Sequence, residues 1–327
     1  MGEAFREDSF KLSDGKLDIL PLADNAVRVK YTKGAGRELP EPLYLDSLRQ
    51  SPSYKVKDKK GCVRVDLKHI SVVVDKATGQ ATFLDEKGNT LFSESAKSLT
   101  ESTVQGEKTY CAELKFNSPE DEYQFGLGQF QDGYLNVKGL TRRLTQVNTQ
   151  ISIPFLLSSK GYGLLWNNYG LTDFNPADPK VVFSKQGSSG EQQVVSVTST
   201  EGSKQEVRQE NAFVATLKTS KAGRYALLLD VGQAMARKHH LQIDGKTFVD
   251  VKNMWLPPTT SVIVDLEAGE HQLTSYLEKD DKPVLYYKEV EPQTALCSTG
   301  ASTAGTPCSS TKTPTPTPKR WWTSCTR

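Results

Sequence analysis

No stretch of about 18 apolar residues occurs anywhere in this 327-residue chain, so no helical membrane span is expected. The N-terminus lacks an apolar core as well. Met1 to Phe10 is charged and does not read as a secretory leader, which points to a cytoplasmic chain or to a fragment that has lost its leader. Net charge is nearly absent: 41 basic residues against 39 acidic ones leave +2, and the two signs are interspersed. That balance gives no electrostatic case for nucleic acid or a membrane surface as a partner. Cysteine is sparse, five residues with no Cys-x-x-Cys or Cys/His pairing at zinc spacing, so neither a metal nor another cofactor is expected. Cys62 and Cys111 fall in strand-like segments, whereas Cys297, Cys308 and Cys325 lie near the end. No Gly-x-Ser-x-Gly occurs, and no nucleophilic cysteine has a partner histidine. Convincing helical periodicity is missing too.

What the chain does have is alternation. Leu17 to Leu22, Ala26 to Tyr31, Val63 to Leu67 and Ile70 to Val74 place apolar residues at every second position, the pattern of half-buried strands. Asp75 to Gly79 and Asp85 to Asn89 read as turns, where Asp, Asn and Gly supply side-chain-to-backbone bonds or positive φ. Short strands with frequent turn signals predict an all-β sandwich. The polar run from Gln186 to Gln209 reads as a linker. A second strand-rich block follows, through Ala212–Leu217, Arg224–Asp230, Leu241–Gly245, Ser261–Leu266 and Ala268–Leu273, long enough for a small sandwich of its own. Val284 to Pro292 supplies a last strand. From Gln293 to Arg327 the chain turns to Thr, Ser, Pro, Cys and Gly, with Thr313-Pro-Thr-Pro-Thr-Pro and Trp321-Trp322, and is expected to be disordered.

Chemistry-bearing residues are few. Asp121 and Asp132 are the carboxylates nearest the most distinctive stretch, Glu122 to Asn175, but spacing alone does not pair them. Gly126-Leu-Gly128 lacks the strand–loop–helix context of a phosphate loop and reads as a tight turn with close backbone approach. Asn148, Thr149 and Gln150 suit sugar hydroxyls, which both donate and accept, and serve equally well as turn residues. Trp255, before Leu256-Pro257-Pro258, is either a stacking platform for a sugar ring or a core residue. His239 and His240, beside Arg237 and Lys238, read as a solvated basic loop.

Phe125 to Gly128, Gly133, Lys138-Gly139, Asn148-Thr149, Pro154-Phe155 and Gly161 to Asn167 together resemble the N-terminal domain of family 31 glycoside hydrolases, the α-xylosidase and α-glucosidase family. The resemblance implies a galactose-mutarotase-like β-sandwich over residues 1–195, completed by 284–292. It also implies an inserted smaller β-sandwich of PA14-like or carbohydrate-binding type over 209–286. The family pattern breaks off after Pro292, so the tail over 293–327, expected to be disordered, is either a Thr/Pro linker or out-of-frame sequence. The resemblance further implies an α-linked oligosaccharide as ligand, xyloglucan fragments above all, and a catalytic barrel as packing partner. The candidate substrate-binding set is Asn148, Thr149, Gln150, Asp132 and Trp255. The family's nucleophile and acid/base motifs do not occur in this sequence, so no catalytic residue is assigned and the chain alone is expected to be inactive. A stand-alone carbohydrate-binding protein and a purely structural module remain alternatives. The resemblance places the parent enzyme in the periplasm or outside the cell.

Overall fold

The computed structural model describes residues 8–12, 15–34, 52–168, 170–199, 202–232, 237–255, 257–278 and 282–301. Among them every regular element is a strand and none is a helix, so the all-β reading holds. The first nine strands are β1 (Asp8–Lys11), β2 (Lys16–Ala23), β3 (Ala26–Thr32), β4 (Lys55–Asp58), β5 (Cys62–Asp66), β6 (Ile70–Asp75), β7 (Ala81–Asp85), β8 (Thr90–Val104) and β9 (Glu107–Asn117). Then come β10 (Gln124–Gln129), β11 (Arg142–Leu144), β12 (Ile151–Ser158), β13 (Gly163–Leu165), β14 (Leu171–Phe174), β15 (Lys180–Val182), β16 (Ser184–Ser199) and β17 (Gly202–Thr219). The last are β18 (Gly223–Asp230), β19 (Arg237–Ile243), β20 (Lys246–Met254), β21 (Thr259–Leu266), β22 (Gly269–Leu277), β23 (Val284–Glu289) and β24 (Gln293–Ala301). The chain divides into two compact units. Unit one is Met1–Gln124, Phe155–Thr172 and Gln293–Arg327, and unit two is Phe125–Pro154 and Asp173–Pro292.

In unit one, β1, β2 and β3 form an antiparallel meander, and a longer antiparallel sheet runs β24-β9-β8-β7-β6-β5-β4. Leu17 and Ile19 of β2 are fully buried against Val65, Val72, Val74 and Ala81 of the longer sheet, which makes the sandwich. Alternation in β5 does what the sequence pattern requires, with Val63 and Val65 buried while Arg64 and Asp66 are not. The Asp75 carboxylate accepts hydrogen bonds from the Thr78 and Ala77 backbone amides, and the Asp85 carboxylate from Lys87 and Asn89, closing both turns. Phe92 lies between Phe116 and Tyr162 with ring centroids 4.8 and 5.4 Å away.

A polar knot completes unit one. Glu122 is buried, and its carboxylate accepts hydrogen bonds from the hydroxyls of Ser118 (2.7 Å), Tyr162 (2.6 Å) and Ser158. Burial, and then the bond to Glu122, push the Tyr162 hydroxyl far above its ordinary pKa, so it stays a donor. The Gln124 amide reaches Ser118 at 3.1 Å and Thr294 at 3.0 Å.

That last contact carries a correction. Residues 293–327 were expected to be disordered, but 293–301 form β24, paired antiparallel with β9 from Gln293 opposite Asn117 to Ala301 opposite Tyr110. Thr294, Ala295, Leu296 and Ser298 are buried. A preformed sheet edge templates a strand that composition over a long window does not reveal. Residues 302–327, including Cys308, Cys325 and the Thr/Pro run, lie outside the described residues.

Unit two is built from two antiparallel sheets, β15-β23-β18-β21 and β16-β17-β22-β19-β20. Leu217, Leu227, Leu229, Leu241, Leu273, Leu277 and Leu285 are completely buried between them; each such side chain contributes about 1.5–3 kcal/mol on burial. The 284–292 segment contributes β23, which pairs with β18 and β15 in this unit. The expected linker at 186–209 is instead the paired hairpin of β16 and β17, with Val194 opposite Val207 and two register shifts along β16. Its polar side chains serve a long two-stranded ribbon as readily as a coil, and so its composition misleads.

The histidines are the other correction. His239 and His240 lie on β19 and are buried, not solvated. His239 Nδ1 meets Thr260 Oγ1 at 2.6 Å, and burial drives its pKa down to about 4. Burial also lowers His240. His271 goes the other way: its hydrogen bond with Asp244, 2.7 Å long, raises its pKa. Below an ordinary value of about 6.5 the unfolded chain takes up a proton that folded His239 refuses. Stability is therefore lost as pH falls from about 6.5 to about 4, on the order of 3 kcal/mol from this residue. His271 offsets part of that, because its contribution is complete below about 6.5 and vanishes as pH rises through its raised folded value. Melting temperatures across pH 4–8 are expected to fall toward acid. The fall should be steeper in His271→Ala, which should cost more stability at pH 5.5 than at pH 8.

Candidate functional site

Four of the five candidate residues lie in the 125–154 part of unit two, and Trp255 lies in the same unit. Just after its first residue the segment holds Gly126, Leu127 and Gly128, all at positive φ (107°, 68° and 109°). A Cβ on Gly128 would sit 2.0 Å from the Ile151 carbonyl oxygen. Glycine is needed there because backbone passes directly against backbone, as expected, but these residues lie within strand β10 and not in the expected tight turn. The close approach fixes the start of β12 and hence the base of the loop that precedes it.

That loop, Thr145 to Gln150, is a narrow reversal. Val147 and Gln150 bridge each other, with N–H···O distances of 3.1 and 3.3 Å, leaving Asn148 and Thr149 at the tip. Gln150 is buried, and its amide donates to the Thr145 carbonyl (3.0 Å) and Oγ1 (2.7 Å). Gln146 Oε1 accepts from the Ser152 amide at 3.0 Å. Thr149 Oγ1 donates to the backbone carbonyl of Trp255, a side chain that is itself half-buried. The structure therefore brings Asn148, Thr149, Gln150 and Trp255 to one locus. Gln150 and Thr149 hold the loop, while Asn148 is exposed at its tip.

Asp132 has a different place. Its carboxylate and the Arg142 guanidinium form an ion pair with 6% and 3% of the side chains exposed. Arg142 also lies 4.2 Å over the Phe130 ring. The Asp132 carboxylate is thus committed to a buried cation and does not face solvent. Sequence reasoning missed Arg142, and also Arg143, which pairs with Asp173 at 2.9 Å. Two adjacent arginines within reach of a buried aspartate were the available signal. Nearby, Tyr134 Oη accepts from the Ile263 amide at 3.1 Å and Ser261 Oγ donates to the Thr141 carbonyl at 2.6 Å, fastening the segment to β21. Asp121, the other acid singled out, pairs with Lys160 in unit one. Among the described residues no group of His, Cys, Asp and Glu could hold a metal ion.

A β-sandwich with these turns and this loop defines a galactose-mutarotase-like domain. Residues 16–175 match the family described as the glycosyl hydrolase 31 N-terminal galactose mutarotase-like domain. It is 32% identical over 176 residues to the α-xylosidase of Saccharolobus solfataricus, covering 49% of this chain and 23% of that protein. A 59-residue stretch is 46% identical to an uncharacterised family 31 glucosidase of Pseudescherichia vulneris, 18% of this chain and 11% of that one. Among solved structures, a family 31 α-xylosidase from Xanthomonas citri aligns with 92% of this chain and 38% of its own, with a TM-score of 0.70 and 18% identity, a likeness of fold. The chain thus spans about a quarter of the α-xylosidase sequence it matches.

Removing a single member of the Asp132–Arg142 pair strands the other charge in the interior. Asp132→Ala is expected to lower stability by about 3–5 kcal/mol in denaturant unfolding, whether or not sugar is present. A stable Asp132→Ala protein with weakened sugar binding would assign this carboxylate to the ligand instead.

Proposed function

We propose that this chain is a non-catalytic N-terminal portion of a family 31 glycosidase of α-xylosidase or α-glucosidase type, contributing a sugar-contacting loop to the parent activity. The observation that carries the reading is the match of residues 16–175 to that family's N-terminal domain, together with the absence of the family's catalytic motifs from the sequence. Hydrolysis of a glycoside usually needs two carboxylates facing one bond. Asp121 and Asp132, the acids nearest the site, are each paired with a cation.

The loop suits the role. Backbone bridging, Gln150 and Thr149 pre-organise it, so Asn148 can meet a sugar hydroxyl with little ordering cost. An amide both donates and accepts, as a hydroxyl partner requires. The half-buried Trp255 beside it offers part of an apolar face to a ring. In unit one, Phe155 of β12 stands opposite Leu165 of β13, and both remain about 40% exposed, with Leu157 at 49%. This apolar face supports a packing partner, which on this reading is the catalytic barrel. Xyloglucan fragments are the ligand class we favour, since an α-xylosidase and an α-xylosidase A are among the matched relatives.

Calorimetry with xyloglucan oligosaccharides and an activity assay on an aryl α-xyloside test the reading together. The expected result is no sugar release, weak binding, and a roughly tenfold loss of affinity in Asn148→Ala with an unchanged melting temperature. Hydrolysis by the purified chain would overturn the non-catalytic assignment. Binding unaffected by Asn148→Ala but lost in Trp255→Ala would move the site to the Trp255 face and favour a stand-alone carbohydrate-binding protein.

A further inference from the structure

Cys111 of β9 and Cys297 of β24 belong to unit one and sit on neighbouring strands. In the ladder Cys297 faces Glu113 and Cys111 faces Thr299, so the two cysteines are diagonal neighbours on the same face of the sheet. Their sulfurs are 3.3 Å apart. That is about 1.3 Å longer than a disulfide bond, and because diagonal ladder neighbours lie farther apart than direct ones, closing the gap takes a small shift of the two strands together with side-chain rotation. Both are half-buried, which leaves them accessible to a small reagent while the strands hold them together.

We propose that Cys111 and Cys297 form a redox site that closes to a disulfide by exchange with a small-molecule disulfide. The thiolate of one cysteine attacks a sulfur of glutathione disulfide, forming a mixed disulfide and expelling one glutathione thiolate. The second cysteine, once deprotonated, attacks the protein sulfur of that mixed disulfide and expels the second glutathione. Two protein thiols are oxidised, one glutathione disulfide is reduced to two thiols, and the two protons released by the cysteines end on the glutathione products. The bond would join positions 186 residues apart and fix β24 to β9. It would thereby secure Thr294, whose hydroxyl exchanges hydrogen bonds with Gln124. The inference is independent of any carbohydrate role.

The test uses the full chain, folded and incubated with glutathione disulfide, followed by alkylation of remaining thiols, digestion and mass spectrometry. The expected product is a peptide pair linked through Cys111 and Cys297, with a raised melting temperature that returns to its starting value on reduction. Cys62, half-buried on β5, should stay alkylated or carry glutathione alone. In Cys297→Ser, Cys111 should accumulate as the glutathione adduct without the rise in melting temperature. Should that variant fail to fold, the map of the unaltered chain decides. Recovery of Cys111 and Cys297 as separate alkylated or glutathione-bearing peptides, or of Cys297 joined to Cys308 or Cys325, would overturn the proposal.

Discussion

A buried carboxylate must be satisfied by whatever lies within reach, and Glu122 imposes that demand on unit one. Its donors are neutral: two serine hydroxyls, a tyrosine hydroxyl and, at 3.4 Å, the Gln124 amide. A buried acceptor left short of a donor costs about 1–3 kcal/mol, and more when it is charged. The demand therefore fixes three stretches of chain at once, 118–124, 158–162 and, through Gln124, Thr294, which lies 170 positions away. Aromatic packing of Tyr162 on Phe92 then ties the polar knot to the apolar core. Specificity comes from the polar members and most of the stabilisation from the apolar ones, because a net hydrogen bond is worth far less than a missing one costs.

Unit two answers the same problem with a charge pair. Burying Arg142 and Asp132 together forfeits two solvation shells, and the attraction between them restores only part of that. What the pair contributes is register. It holds 130–132 against β11, while Tyr134 and Ser261 hold the same segment to β21. With one end of the 145–150 loop held this way and the other seated where Gly128 passes Ile151, the loop has little freedom. A sugar bound at its tip would meet a preformed surface, the condition under which one or two amide contacts produce measurable affinity.

Legibility followed locality. Strands β2, β3, β5 and β6 were readable because their apolar residues alternate and the turns after β6 and β7 carry Asp, Asn and Gly, signals contained within a few residues. The 122–175 motif set pointed to the domain for the same reason: its glycines mark places where backbone geometry admits nothing else, as at Gly128. His239 misled because its surroundings are assembled from far along the chain. Arg237 and Lys238 make His239 look solvated, while Thr260 and the sheet that buries it are remote in sequence. The pairing of Asp132 was not legible for another reason: its partner ten residues on is one arginine among many charges.

The strand at 293–301 carries this logic furthest. A run of Gln, Thr, Ala, Leu, Cys, Ser and Gly holds too few apolar residues to drive folding. Yet it need not drive anything, because β9 already offers a complete row of backbone donors and acceptors. The remaining question is whether its hydroxyls can be buried without penalty, and they can. Thr294 meets Gln124, and Ser298 meets both the Trp166 indole N–H (2.7 Å) and the Thr172 hydroxyl (2.6 Å). A Thr/Ser-rich segment is suited to such a slot, where a more apolar strand would cost Gln124 its bonds to Thr294 and the Trp166 indole N–H its bond to Ser298. Composition separates core formers from solvated chain, but a strand completing an existing sheet is selected by what its neighbours lack.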